Sequence, residues 1–319
     1  MDIQQSPNAP QNMQISTLEL TPDLVRKRRS QLRIIFDRFV RNRAAVVGAV
    51  VLSIIILMAI LAPVLTHQTA TYDPANSVPS PLKPSDLLAN PSWAHPMGTD
   101  ELGRDLFARM LFGAQVSLLI GFTSMVVAIT IGATLGAIAG YYGGWIDNGL
   151  MRIVDAMLAL PYLLVLFVLS IVFANGSVGT VVFIIAILAW PATARIVRSE
   201  FLALKHQEFL MATRTLGAGD LRLMLRHILP NAAGPIIVNA TLLVGINIIN
   251  ESVLSFFGFG LTPPQSSWGV LLGQSQAFFN VAPRMLYLPG FAILITVLCF
   301  NLIGDGLRDA LDVRLRGRE

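Results

Sequence analysis

Residues 110–146 carry no charged side chain, and neither do residues 156–194. Runs of that length leave few ways to fold in water. A helix rises ~1.5 Å per residue, so about 20 apolar residues already cross the hydrocarbon core of a bilayer. The rest of the chain agrees, with 54% of its 319 residues apolar and only 13% charged. The expected fold class is all-α, a polytopic membrane protein. The one cysteine, Cys299, lies inside an apolar run, which excludes a disulfide framework and a thiolate metal cluster. The formal net charge of +4 sits on the flanks of the apolar runs, so it reports topology and not nucleic-acid binding.

Turn signals and charge divide the chain. Residues 1–43 read as a cytoplasmic tail and a basic amphipathic helix. That helix begins near Thr21-Pro22-Asp23 and carries Arg26, Lys27, Arg28, Arg29, Arg33, Arg38, Arg41 and Arg43, a pattern that holds it on anionic lipid at the cytoplasmic face. The first transmembrane helix is 44–65, too long and too far from the N-terminus for a cleaved signal. Residues 66–112 form an external loop in which acidic residues outnumber basic ones. Residues 113–304 hold five more spans, expected at 116–140, 153–174, 178–194, 232–257 and 287–303. Tyr141-Tyr142-Gly143-Gly144 ends the second, and Asn175-Gly176-Ser177 separates the third from the fourth. A second external loop contains Pro263-Pro264 and Trp268, and 305–319 is a cytoplasmic tail. Six spans with both ends inside place nearly all arginine and lysine in the cytoplasm.

Between the fourth and fifth spans lies a polar, basic loop, 200–230. Leu202, Phe209, Ala212 and Leu216 fall near one face at helical spacing, Gly217 and Gly219 are suited to positive φ, Asp220 to capping a second short helix and Pro230 to limiting its end. A helix, a sharp turn and a second helix make a surface that a soluble partner holds in a groove.

In the fifth span Asn239, Asn247, Asn250 and Glu251 share an arc of roughly 120°. A carboxylate at bilayer depth costs about 2.5–3.5 kcal/mol unless it reaches water or a partner. Two readings stay open for the stripe, a wet translocation path or hydrogen-bonding glue between helices, with path or gate the reading for Glu251. Gly132, Gly136 and Gly140 repeat every four residues in the second span and mark close helix packing. The segment from His95 to Asp105 reads as structure, with Thr99 or Asp100 capping a helix and Arg104 paired to a carboxylate. Its alternative is an outer seal or an external contact.

The three lysines follow Arg26, Leu82 and Leu204, so the chain has no Gly-Lys-Ser/Thr phosphate loop and no ATP site of that kind. Asp147, Asp155, Asp305 and Asp309 lie near span ends, where capping explains them. His67, His95, His206 and His227 lack metal-ligand spacing. No catalytic, cofactor or metal site is expected.

The run Glu208-Phe209-Leu210-Met211-Ala212-Thr213-Arg214-Thr215-Leu216-Gly217, followed by Ile228-Leu229-Pro230-Asn231, resembles the coupling-loop signature of ABC importer permeases in its dipeptide/oligopeptide form. His95-Pro96-Met97-Gly98-Thr99-Asp100-Glu101-Leu102-Gly103-Arg104-Asp105 is similar to the segment before the second span in one of that family's two permease subunits. The general signature begins Glu-Ala-Ala where this chain has Met211-Ala212-Thr213, its glutamate standing earlier as Glu208. The resemblance implies an ABC importer permease fold in a bacterial plasma membrane. It implies ATPase coupling through Glu208, Ala212, Thr213, Arg214, Gly217, Asp220, Leu229 and Pro230. It also implies a second homologous permease, two ABC ATPases carrying ATP and Mg, and an external substrate-binding protein delivering short peptides. Nickel or another small solute is the alternative cargo within the family. A gradient-driven secondary transporter is the rival outside it, and would place more ionisable residues at the midplane than Glu251.

Overall fold

A computed structural model describes residues 31–66, 87–173, 175–262 and 265–311. The N-terminal tail, the helix start at Thr21-Pro22-Asp23, the first part of the basic helix, residues 67–86 of the expected external loop, Pro263-Pro264 and the tail beyond 311 lie outside these residues. Among the described residues the chain is almost wholly helical, with one isolated antiparallel bridge between Thr99 and Asp105.

Helix α1 (Gln31–Arg41) ends at Asn42, whose extended backbone (φ −81°, ψ 98°) breaks the axis while its side chain accepts from the Ala45 N–H and caps α2 (Arg43–Ile60). A further turn, α3 (Ala62–Leu65), carries Pro63 near its start, where a missing N–H costs nothing. Helix α4 (Leu106–Tyr142) corrects the expected second span: it begins ten residues earlier than 116, because the Asp105 carboxylate caps the Ala108 N–H at 3.1 Å. At 37 residues it is about 55 Å long, more than a bilayer core requires. It stops at Gly143, where φ is +67°.

The expected third span is not one helix. It comprises α5 (Gly144–Ala159) and α6 (Tyr162–Val172), bent by 91°. Pro161 causes the elbow: it has no N–H to continue the ladder, and its ring drives Leu160 into extended geometry (φ −77°, ψ 143°). Helix α7 (Val178–Leu204) follows, capped by Ser177 and running ten residues past the expected 194. Helix α8 (Glu208–Thr215) comes next, then α9 (Asp220–Arg222), a π-helical turn over Leu223–Ile228 and α10 (Leu229–Phe256). Pro230 therefore does not end a short second helix. The π turn widens the ladder just before a residue that cannot donate, and residues 220–256 continue as one rod into the fifth span.

The segment between α10 and the last helix contains a helix that the hydropathy pattern did not show, α11 (Trp268–Ser275), with Trp268, Gly269, Val270 and Leu271 buried. The last helix, α12 (Arg284–Leu311), extends the expected 287–303 at both ends. Among the described residues five helices are long and apolar enough to cross a membrane, or six if the bent pair α5 and α6 counts as one span.

Helix α4 meets α7 backbone to backbone. A Cβ on Gly132 would lie 2.7 Å from the Trp190 carbonyl oxygen, one on Gly140 2.8 Å from that of Arg198, and one on Gly136 inside the Ala194 carbonyl. Helix α10 lies across α4, α7 and α12, while α1 and α2 pack on the outside of α12. At the end of the bundle where α4 begins, Leu106, Met110 and Ala114 pack with Trp268, Leu271 and Met285. At the other end Ala137, Val197 and Phe201 pack with Leu210, Leu223 and Ile228.

Candidate functional site

The second of these ends presents the polar loop. Leu210 is the one buried side chain of α8, seated in the cluster of Ala137, Val197, Phe201, Met224 and Ile228. The face inferred from spacing is turned by a position: Phe209 and Leu216 point outward, exposed by 44% and 87%. Heptad-like spacing shows that a face exists. It does not say which neighbour covers it, and here the π turn over Leu223–Ile228 packs on Leu210 together with α4 and α7.

Helix α8 closes in a Schellman motif. The Ala218 N–H donates to the Thr213 carbonyl and the Gly217 N–H to that of Arg214, with Gly217 at φ +85°. Gly219 does not share this geometry, having φ −70°, and Asp220 is not a cap. Asp220 instead accepts from the Tyr141 hydroxyl at 2.5 Å and faces Arg214 Nη2 at 3.6 Å. The Lys205 Nζ donates to the Gly140 carbonyl at 3.0 Å. The end of α4 thus holds both the entry to α8 and the start of the rod that becomes α10.

What remains outward is a surface of Phe209, Met211, Leu216, Leu221 and Leu225, bordered by Glu208, Arg214, Arg222 and Arg226. Ala212 and Pro230 are exposed, and Thr213 and Leu229 are half-buried behind this surface. An apolar patch with a charged rim, outside the span, suits a protein groove.

The polar stripe of α10 is engaged within the chain. Asn239 donates to Thr193 Oγ1 at 3.0 Å, Asn247 to the Gly121 carbonyl at 3.4 Å and Asn250 to the Tyr162 hydroxyl at 2.8 Å. Glu251 is fully buried: its Oε1 accepts from Ser255 at 2.8 Å and Ser267 at 2.6 Å, and its Oε2 from Ser117 at 3.2 Å. Ser267 also caps α11 by accepting from the Val270 N–H. Glu251 therefore joins α4, α10 and the amino end of α11. Ser117 and Ser267 lie far from it in sequence, and nothing in their spacing marks them as its partners.

At the same end of the bundle, the Asp100 carboxylate is buried between two arginines, with Arg104 Nε and Arg109 Nη1 each at 2.6 Å. Arg109 continues to Gln274 of α11 at 2.8 Å. The expected cap at Thr99 or Asp100 is instead Asp105, and Arg104 pairs with Asp100. Among the described residues, no three His, Cys, Asp or Glu side chains come close enough to hold a metal ion.

Two family profiles match the chain: "Binding-protein-dependent transport system inner membrane component" over residues 132–317, and "N-terminal TM domain of oligopeptide transport permease C" over residues 30–84. The dipeptide transport system permease protein DppC of Alkalihalophilus pseudofirmus is 43% identical over 205 residues, covering 64% of this chain and 67% of that one. The glutathione transport system permease protein GsiD of Pectobacterium atrosepticum is 41% identical over 204 residues, with the same coverage. Two structures of the MetNI methionine ABC transporter in inward-facing conformations share the fold. One has a TM-score of 0.52 at 17% identity, covering 63% of this chain and 94% of that one. The other has 0.51 at 20%, covering 64% and 96%. Signature, span pattern, fold and relatives agree, and this multi-pass inner-membrane chain belongs to the ABC importer permeases of the dipeptide/oligopeptide family.

Proposed function

We propose that the chain forms half of the translocation path of an importer for short peptides, alongside a second, similar permease. The names of its relatives, dipeptide and glutathione permeases, support this cargo class. Two ATPase subunits bind and hydrolyse Mg-ATP on the cytoplasmic side, and an external binding protein delivers the solute. The N- and C-terminal segments and the α8 end face the cytoplasm. Binding of ATP moves the ATPases, and their motion enters this chain through 200–230 and shifts a two-state membrane element.

The observation that carries this reading is the outward apolar surface of Phe209, Met211, Leu216, Leu221 and Leu225, fixed to the bundle by Leu210 and the Tyr141–Asp220 bond. In this reading Glu208, Ala212, Thr213, Arg214, Gly217 and Asp220 form or shape the contact, and Leu229 and Pro230 pass it to α10. The path runs beside α10. The half-buried Asn239, and Asn250 three turns further along α10, stand at the seams that border it, and Asn247 and Glu251 hold those seams from behind. Gly132, Gly136 and Gly140 keep α4 and α7 together as the path opens.

The test uses the assembled importer in a Cys299→Ala background. A cysteine at Ala212 should crosslink to a cysteine on the ATPase surface, and a cysteine at Ser177 should react with an impermeant reagent from outside while one at Ser199 does not. Failure of the Ala212 crosslink at every ATPase position tried would remove the coupling role.

A further inference from the structure

Helix α5 is held differently from every long helix around it. Of its 16 residues only Asp147 and Val154 are buried, whereas α7 buries eleven side chains. Val154, with Met151 and Met157 partly buried beside it, makes only a narrow apolar attachment, which leaves a role for a polar hold on the register of α5. Two ion pairs supply it, both to α7. Arg198 grips Asp147 in a bidentate fork, with Nη2 at 2.7 Å from Oδ2 and Nε on Oδ1. Arg195, one turn earlier, reaches Asp155 with Nη2 at 2.7 Å from Oδ1. The fork fixes orientation as well as distance, which a single contact does not.

The position of these pairs gives them a consequence. Helix α7 runs on past Arg198 to Leu204, and three residues later α8 begins. On its other side α5 leads through the Pro161 elbow into α6, whose Tyr162 hydroxyl accepts from Asn250 of α10. We propose that Asp147–Arg198 and Asp155–Arg195 form the joint that makes the α5–α6 elbow follow α7 when α8 is pushed, with Asp147, Asp155, Arg195 and Arg198 as positioning residues for transport. The proposal rests on the coupling reading of 200–230. With the pairs intact, displacement of α7 carries α5 with it and turns α6 against α10. Without them, α7 moves and the elbow stays.

The test measures motion as well as transport. In the assembled importer with Cys299→Ala, a spin label at Leu164, an exposed position on α6, is paired with a label on the partner permease. The distance is compared between the nucleotide-free and the vanadate-trapped state. The parent should show a shift, and Asp147→Asn combined with Asp155→Asn should lose it while ATP hydrolysis continues. Asp155→Asn alone breaks only the exposed pair, costs little stability and should reduce the shift. Exchanging the partners, Asp147→Arg with Arg198→Asp, should restore part of it. Replacing Asp155 and Arg195 by cysteines joined with a short bifunctional thiol reagent should also restore it, since a joint works when covalent. Solute moved per ATP should fall about five-fold or more when both pairs are removed.

An unchanged Leu164 shift in the double variant overturns the joint. Loss of function on covalent closure does the same, because it would make Asp155–Arg195 a latch that has to open. Failure of the coupling reading shows separately, as a missing Ala212 crosslink in the parent.

Discussion

The Tyr141 hydroxyl and the Asp220 carboxylate meet at 2.5 Å, tying the last turn of α4 to the first residue of the rod that continues into α10. Removing the hydroxyl by Tyr141→Phe should cost about 1.5 kcal/mol, the lower end of the range for a hydrogen bond to a charged group because the Asp220 carboxylate is half-exposed. A double-mutant cycle with Asp220→Asn, read by thermal unfolding in lipid, should show the two changes to be non-additive. Additive effects would mean that the contact does not hold the loop.

Gly217 sits at φ +85° with open space where a Cβ would be. A valine there meets no neighbour, so the effect comes from backbone strain alone, about 1–3 kcal/mol. Gly217→Val should leave insertion normal and weaken ATPase docking or uncouple hydrolysis from uptake. Co-purification of the ATPases and uptake per ATP are the measurements. Parental values for both would remove the turn from the coupling element.

Gly136 differs, because its added Cβ would run into the Ala194 carbonyl of α7. Gly136→Leu should therefore prevent α4 and α7 from closing and sharply lower the yield of folded subunit. Gly149→Ala, with nothing within 4 Å, serves as control and should be silent. Equal yields of the two variants would contradict the seam.

For Glu251, Gln keeps an acceptor for the surrounding serines, while Ala leaves three buried O–H donors without the acceptor they have in Glu251. Glu251→Ala should destabilise by at least about 1–3 kcal/mol, and Glu251→Gln by less. If the group holds the seam from behind, Glu251→Gln should change uptake of charged and neutral peptides by the same factor. A selective loss for one charge class would place the carboxylate in the path.

The apolar runs marked out six expected spans, and the described residues hold five such helices, or six with the bent pair, because bilayer thickness sets a length that residue counting reads directly. Gly143 was legible for a similar reason, since the turn after Tyr142 needs a residue at positive φ. Hydropathy was blind to the elbow at Pro161, because Leu160 and Tyr162 are as apolar as their neighbours and only the ring geometry of one residue breaks the axis. It was blind to α11 because eight residues are too few to span. The choice between Leu210 and Phe209 was hidden because two adjacent apolar residues on a short helix offer two possible faces, and helical spacing alone does not say which of them the neighbouring π turn covers. The ends of α7 and α12 were missed because both helices leave the membrane without stopping, and charge marks the interface and not the end of the helix.

The glycine seam also sets an order of events during synthesis. Phe201, which covers Gly140, follows it by about sixty residues. At ~5–20 residues per second, α4 waits for about 3 to 12 s before its counterpart leaves the ribosome. During that interval a groove without side chains lies open in the membrane, and any helix with a smooth enough face is able to occupy it. Fidelity of assembly in this chain therefore depends on translation speed through α5 and α6, and slowing the ribosome there lengthens the time in which α4 is able to pair with the wrong neighbour.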